Sequence, residues 1–92
     1  MRAIYSDSAL ADLKNILTYT AENFPYQLTS LKQQIGAVVE RIEMWPQSAR
    51  IVSNSDGVRV VPLLRYPFKI FYVVEADQIV LLHIYHVAQN SG

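Results

Sequence analysis

Two histidines, His83 and His86, stand three residues apart in the C-terminal stretch QIVLLHIYHVAQNSG (78–92), with Tyr85 between them. Upstream, the run from Val58 to Val74 holds Arg59, Arg65 and Lys69 and no acidic residue. Arginine and lysine can stabilise a phosphorane-like transition state, and a histidine or phenol beside them can move protons. Two readings follow. One is a phosphate-binding site gathered from Arg59, Arg65, Lys69, His83, Tyr85 and His86. The other is a solvated sheet edge, with cations at strand ends and His86 hydrogen-bonded to backbone. A metal site is disfavoured, because residues an odd number apart in a strand point to opposite faces and no third ligand lies nearby in sequence. Only a β-bulge would reverse that. No serine or threonine stands in a nucleophile motif, and there is no glycine-rich phosphate loop. Neither metal nor cofactor is expected.

These residues need a scaffold. The opening RAIY is β-branched and aromatic enough for a short strand. Ser6 and Asp7 then offer caps for a first helix, whose Ala9, Leu13, Ile16, Leu17 and Thr20 recur at helical spacing. Pro25 closes that helix or opens the next. Leu28, Leu31, Ile35, Val38, Ile42 and Trp45 follow a 3,4 spacing, which predicts a second helix ending at Pro46. The seam fits a coiled-coil dimer or an antiparallel helical hairpin inside the domain, and fewer than three heptads favour the hairpin. Gly36 weakens the helix and allows a close backbone approach. Residues 47–57 read as a polar connection ending in the Asp56-Gly57 turn. Three strands follow, VRVVPLL, FKIFYVV and IVLLHIYHVA, and Pro62 places the first of them at an edge or bulge. The expectation is a single α+β domain over 1–92: an N-terminal strand, an antiparallel helical hairpin, then a three-stranded antiparallel sheet.

A hairpin centred on Ala76-Asp77 pairs position 70 with 83 and 68 with 85. One face then carries Phe68, Ile70, Tyr72, His83 and Tyr85; the other carries Lys69, Phe71, Ile84 and His86. Both faces are apolar near the turn, so both are expected to be covered, one by the helices and one by a partner. The polar ends of both faces gather at the RYP reversal.

Composition bounds the functional classes. The chain has 92 residues, 51% of them hydrophobic and only 17% charged, against about 25% charged in a typical domain. A small domain with that surplus leaves apolar surface exposed, which marks a partner site. Eight cations balance eight acids, which argues against a strong non-specific grip on nucleic acid. With no cysteine, a disulfide scaffold and a thiolate zinc site are both out. The N-terminus turns polar at its sixth residue, unlike a signal peptide, and no apolar run approaches a membrane span. A soluble, cytoplasmic protein is expected.

Three fragments, in order, carry a likeness to a known family: YSDSALADLKNILTYTAENFP, VERIEMWPQSAR and GVRVVPLLRYPFKIFYVVEADQIVLLHIYHVAQ. Arg59, Pro67, Tyr72, Ile84 and His86 fall at the family's positions. The chain resembles the ParE/RelE superfamily of bacterial type II toxins, and the ParE branch in particular. The resemblance implies a growth-inhibiting toxin of the kind used in plasmid stabilisation. A cognate antitoxin, ParD-like or similar, would hold it neutral in a heterodimer or heterotetramer. ParE-like members poison DNA gyrase by binding it, without catalysis. RelE-like members cut mRNA in the ribosome; in that alternative Arg65 and Lys69 would stabilise phosphate, and His86 or Tyr85 would transfer protons. A third possibility is a degenerate toxin that only binds its antitoxin. The resemblance puts Arg59, Arg65, Lys69, His83, Tyr85, His86 and Gln89 at the target, and Leu13, Leu17, Leu31, Ile35, Phe71 and Val73 at the antitoxin. Sequence-specific nucleic-acid binding and membrane binding are not implied. The chain departs from the ParE pattern at Gln89, where an arginine is usual, and at Tyr85, where a basic residue is frequent.

Overall fold

The computed structural model describes residues 1–89, with side chains to Ala88. The chain opens with strand β1 (Ala3–Tyr5) and enters helix α1 (Asp7–Asn23) at once. Ser6 makes the junction: its Oγ accepts the Ala9 N–H at 3.0 Å, capping the free first turn, and donates to the Leu82 carbonyl at 3.1 Å. Pro25 opens a single 3-10 turn (Pro25–Gln27) that leads into helix α2 (Leu28–Met44). Leu31, Ile35, Val38 and Ile42 are the buried stripe of α2, and they pack with Ile70, Tyr72, Ile79, Leu81 and Ile84 of the sheet in one core. Each such side chain removed from water contributes roughly 1.5–3 kcal/mol. Trp45 lies beyond that stripe, at the C-cap, and is 61% exposed. Gly36 faces open space, with nothing within 4 Å of a Cβ built there, so the close approach expected at this position does not occur.

The sheet has five strands in the order β1-β5-β4-β3-β2, formed by β2 (Arg50–Ile51), β3 (Arg59–Pro62), β4 (Phe68–Val74) and β5 (Ile79–His86) with β1. The expected three-stranded antiparallel sheet is its centre. β1 adds a parallel pair with β5, and β2 adds a short antiparallel edge from within the segment read as a polar connection. Between β2 and β3 the chain reverses through Asn54 (φ 60°) and Gly57 (φ 78°), where left-handed backbone favours these two residue types. β2 covers only Arg59 and Val60 of β3, so Pro62, which lacks an N–H, takes an uncovered stretch of edge.

The β4–β5 hairpin contains a β-bulge that the regular register did not include. Near the turn the pairs are Val74↔Ile79, Val73↔Val80 and Tyr72↔Leu81; beyond it they become Phe71↔His83, Ile70↔Ile84, Lys69↔Tyr85 and Phe68↔His86. Leu82 is left without a partner. One extra residue exchanges the faces of everything that follows. His83 and Tyr85 therefore share a face with Lys69 and Phe71, and His86 shares the helix-covered face with Phe68 and Ile70. This corrects the expected assignment, although the two histidines still point to opposite sides.

Candidate functional site

The bulge lies where α1 takes over from β1 along the outer edge of β5. Beyond Tyr5 the outer edge of β5 has no strand beside it. The Ser6 N–H donates to the Leu81 carbonyl at 2.9 Å, and the Asp12 carboxylate accepts the Ile84 N–H at 2.9 Å. The same Asp12 oxygen lies 3.3 Å from His83 Nδ1. A neutral imidazole in that position carries its hydrogen on Nδ1, toward the carboxylate. Sequence reasoning missed Asp12. Its signal was a carboxylate three residues after Ala9 and four before Ile16, on the sheet-facing stripe of α1.

On the helix-free face the rings form a chain. His83 stacks on Tyr85 with centroids 4.7 Å apart and planes at 21°, and Tyr85 meets Phe71 at 5.5 Å. Lys69 Nζ stands 5.5 Å from the Phe71 centroid, a cation–π contact. Phe71 and Val73 are half-buried on this face, beside Val80 and the buried Val60. The result is an apolar, aromatic sheet surface with a cation and an imidazole at one end.

The other candidates are elsewhere. His86 is on the opposite face, edge-on to Phe68 at 5.5 Å, its Nδ1 accepting the Ala88 N–H at 3.0 Å. Arg65 belongs to the β3–β4 loop, which leans on α2: Tyr66 Oη donates to Ser30 Oγ at 2.7 Å, and Arg65 lines a shallow hollow with Ser30, Gln33, Gln34 and Ala37. Arg59 is tied into the fold, its Nη1 donating to the carbonyls of Gln47 at 3.0 Å and Ala49 at 2.7 Å. The side chain of Gln89 lies outside the described residues. The expected convergence of all these groups at the RYP reversal does not form.

Tyr72 works beside Arg59. Fully buried, it donates from Oη to the Pro46 carbonyl at 2.7 Å. Burial pushes its phenol above the ordinary value, with the Arg59 charge pulling the other way. Burial also raises Tyr5.

Of the residues assigned to antitoxin contact, Leu31 is 1% and Ile35 3% exposed. They fill the chain's own core and present no surface to a partner, so the assignment is corrected for both. Leu13 and Leu17 are half-buried on α1. Among the described residues no group of three or more His, Asp or Glu side chains could hold a metal ion, and no helix is long and apolar enough to cross a membrane.

A family model described as "ParE toxin of type II toxin-antitoxin system, parDE" matches residues 3–91. Among solved structures, the chain is similar to one from the "Chromosomal ParDE TA system from P. aeruginosa", with 27% identity and a TM-score of 0.80 over 94% of this chain and 95% of that one. A YoeB dimer structure from Staphylococcus aureus matches with 17% identity and a TM-score of 0.62 over 94% and 97%, a likeness of fold alone. No curated protein matches.

Proposed function

Because the chain belongs to the ParE family of type II toxin-antitoxin toxins, we propose that it inhibits DNA gyrase in the cytoplasm by binding it, with no chemistry of its own, and that a cognate antitoxin neutralises it. The observation that carries this reading is the scattering of the would-be nuclease residues. Phosphoryl transfer needs a cation and a proton donor at one phosphate. Lys69 and His86 occupy opposite faces of the sheet, and Arg65 lies in the β3–β4 loop against α2, so of that set only Lys69 and Tyr85 stay side by side, on a face otherwise apolar and aromatic. What remains together on the helix-free face is a docking surface: Phe71, Val73, His83, Tyr85 and Lys69. In this reading Lys69, His83 and Tyr85 contact the target. Arg59 acts through the 47–49 turn that it holds, Arg65 and His86 contribute from the rim, and Gln89 is a further target contact. Leu13, Leu17, Phe71 and Val73 meet the antitoxin in a heterodimer or heterotetramer.

Purified antitoxin-free protein, added to gyrase with relaxed plasmid, is expected to block supercoiling or accumulate cleaved DNA, and Lys69→Ala with Tyr85→Ala to weaken the effect. Full supercoiling at toxin in large molar excess over gyrase would overturn the reading. Normal growth of cells producing the protein alone would favour a chain that only binds antitoxin.

A further inference from the structure

The turn from Trp45 to Arg50 is held far more firmly than a connection requires. The Ser48 N–H and Oγ both donate to the Trp45 carbonyl, at 3.1 and 2.8 Å. Tyr72 Oη holds the Pro46 carbonyl, and Arg59 holds those of Gln47 and Ala49. Four carbonyls of one turn are thus fixed, three of them by a buried phenol and an arginine. A surface held this rigidly loses little freedom when something docks on it.

Two hollows flank this turn and share Ser48. The first, of about 370 Å³, opens at the uncovered edge of β3. Ile42, Val61 and Tyr72 line it, and Arg41, Arg50 and Lys69 are its charged residues; no acidic residue lines it. Among the described residues none of these three cations is in an ion pair. The second, of about 330 Å³, is lined by Met1, Met44, Trp45, Pro46, Gln47 and Val74 and carries no side-chain charge. Met44 and Trp45, 71% and 61% exposed, stand at its wall. A three-cation hollow beside an apolar one without charged side chains is complementary to a short amphipathic peptide with carboxylates at one end and bulky apolar side chains at the other.

We infer that the surface on either side of the Trp45–Arg50 turn docks an acidic, amphipathic segment of the neutralising antitoxin, its carboxylates meeting Arg41, Arg50 and Lys69 and its apolar residues seated against Met44 and Trp45. This rests on the reading that the chain has such an antitoxin. The segment docks through side chains and does not extend the sheet at β3, because Pro62 offers no N–H there and Val60 is already paired with Arg50. A nucleic acid suits the surface less well. The cations stop at the first hollow, whereas a polyanion is gripped by charges that track its backbone.

Trp45 is the chain's single tryptophan and so reports on its own site. The test titrates the full-length toxin with the antitoxin encoded beside it, in a tryptophan-free form, while Trp45 emission and the dissociation constant are followed. The expected result is a blue shift on binding. Arg41→Glu with Arg50→Glu should raise Kd about 100-fold, and the glutamine pair less. Lys14→Glu with Lys32→Glu, the same charge change on exposed helix positions, should stay within about threefold. A complex that forms normally with the Arg41/Arg50 reversal and leaves Trp45 emission unmoved overturns the inference while leaving the antitoxin reading intact. If the wild-type chain forms no complex at all, the antitoxin reading fails first. A single-stranded RNA oligonucleotide is the second probe: loss of its binding in the reversal variant, with antitoxin binding unchanged, would assign the surface to nucleic acid and overturn the inference.

Discussion

Asp12→Ala removes the group that holds the bulge, and its effect can be worked through. Ile84 is 2% exposed, and its N–H donates to Asp12 Oδ2 at 2.9 Å. A hydrogen bond to a charged group is worth about 1.5–3 kcal/mol, and much of that is the penalty of leaving a buried donor unpaired. The His83 contact adds little, since side chains 38% and 26% exposed are well screened. Alanine returns roughly 0.5 kcal/mol through its better helix propensity in α1. The net loss is about 1–2.5 kcal/mol. In urea unfolding followed by far-UV circular dichroism, with a slope near ~1 kcal/mol/M for a chain this small, the midpoint should fall by about 1–2.5 M. Asp12→Asn keeps an acceptor oxygen for Ile84 and should lose about half as much. Amide exchange gives a site-specific check, because Ile84 N–H should become one of the fastest-exchanging amides of β5 in the alanine variant. A midpoint within about 0.5 M of wild type would refute the argument that Asp12 replaces a missing strand.

Arg59→Ala leaves the carbonyls of Gln47 and Ala49 without their donor and should cost about 1–3 kcal/mol in the same unfolding assay. Gly36→Ala, in mid-helix with open space at its Cβ, should stabilise by about 0.5–1 kcal/mol, seen as a higher midpoint. Tyr5 and Tyr72 both bind their protons more tightly when folded than when unfolded. The stability these two phenols contribute is therefore level below about pH 10, the unfolded phenol value, and falls as pH rises past it. Tyr5→Phe should flatten that alkaline decline in an unfolding series from pH 8 to 11.

The parts legible in the sequence were those governed by local rules. The spacing of Leu31, Ile35, Val38 and Ile42 marks a single apolar stripe, and Ser6 and Pro46 bound the helices by capping and ring chemistry. Pro62 on an uncovered edge follows from its missing N–H. What escaped depended on groups far apart in the chain. The bulge at Leu82 is stabilised by a carboxylate about seventy positions upstream, and nothing between Ile79 and His86 announces it. β1 joins the sheet through a parallel pair that neither partner's own pattern specifies. β2 is two residues long, too short for any alternation to show. Leu31 and Ile35 illustrate a different limit, since an apolar residue on a helix stripe reads alike whether a partner or the chain's own sheet covers it.

Whether this toxin docks or cuts is the central question, and the ends of transcripts answer it. Translating ribosomes are incubated with the purified chain and the 5′ ends of their mRNA are mapped. Unbroken messages with the chain in large molar excess over ribosomes are the expected outcome. Codon-phased cleavage that disappears in Lys69→Ala or His86→Ala would contradict the account, because it would mean that the chain's own side chains break a bond.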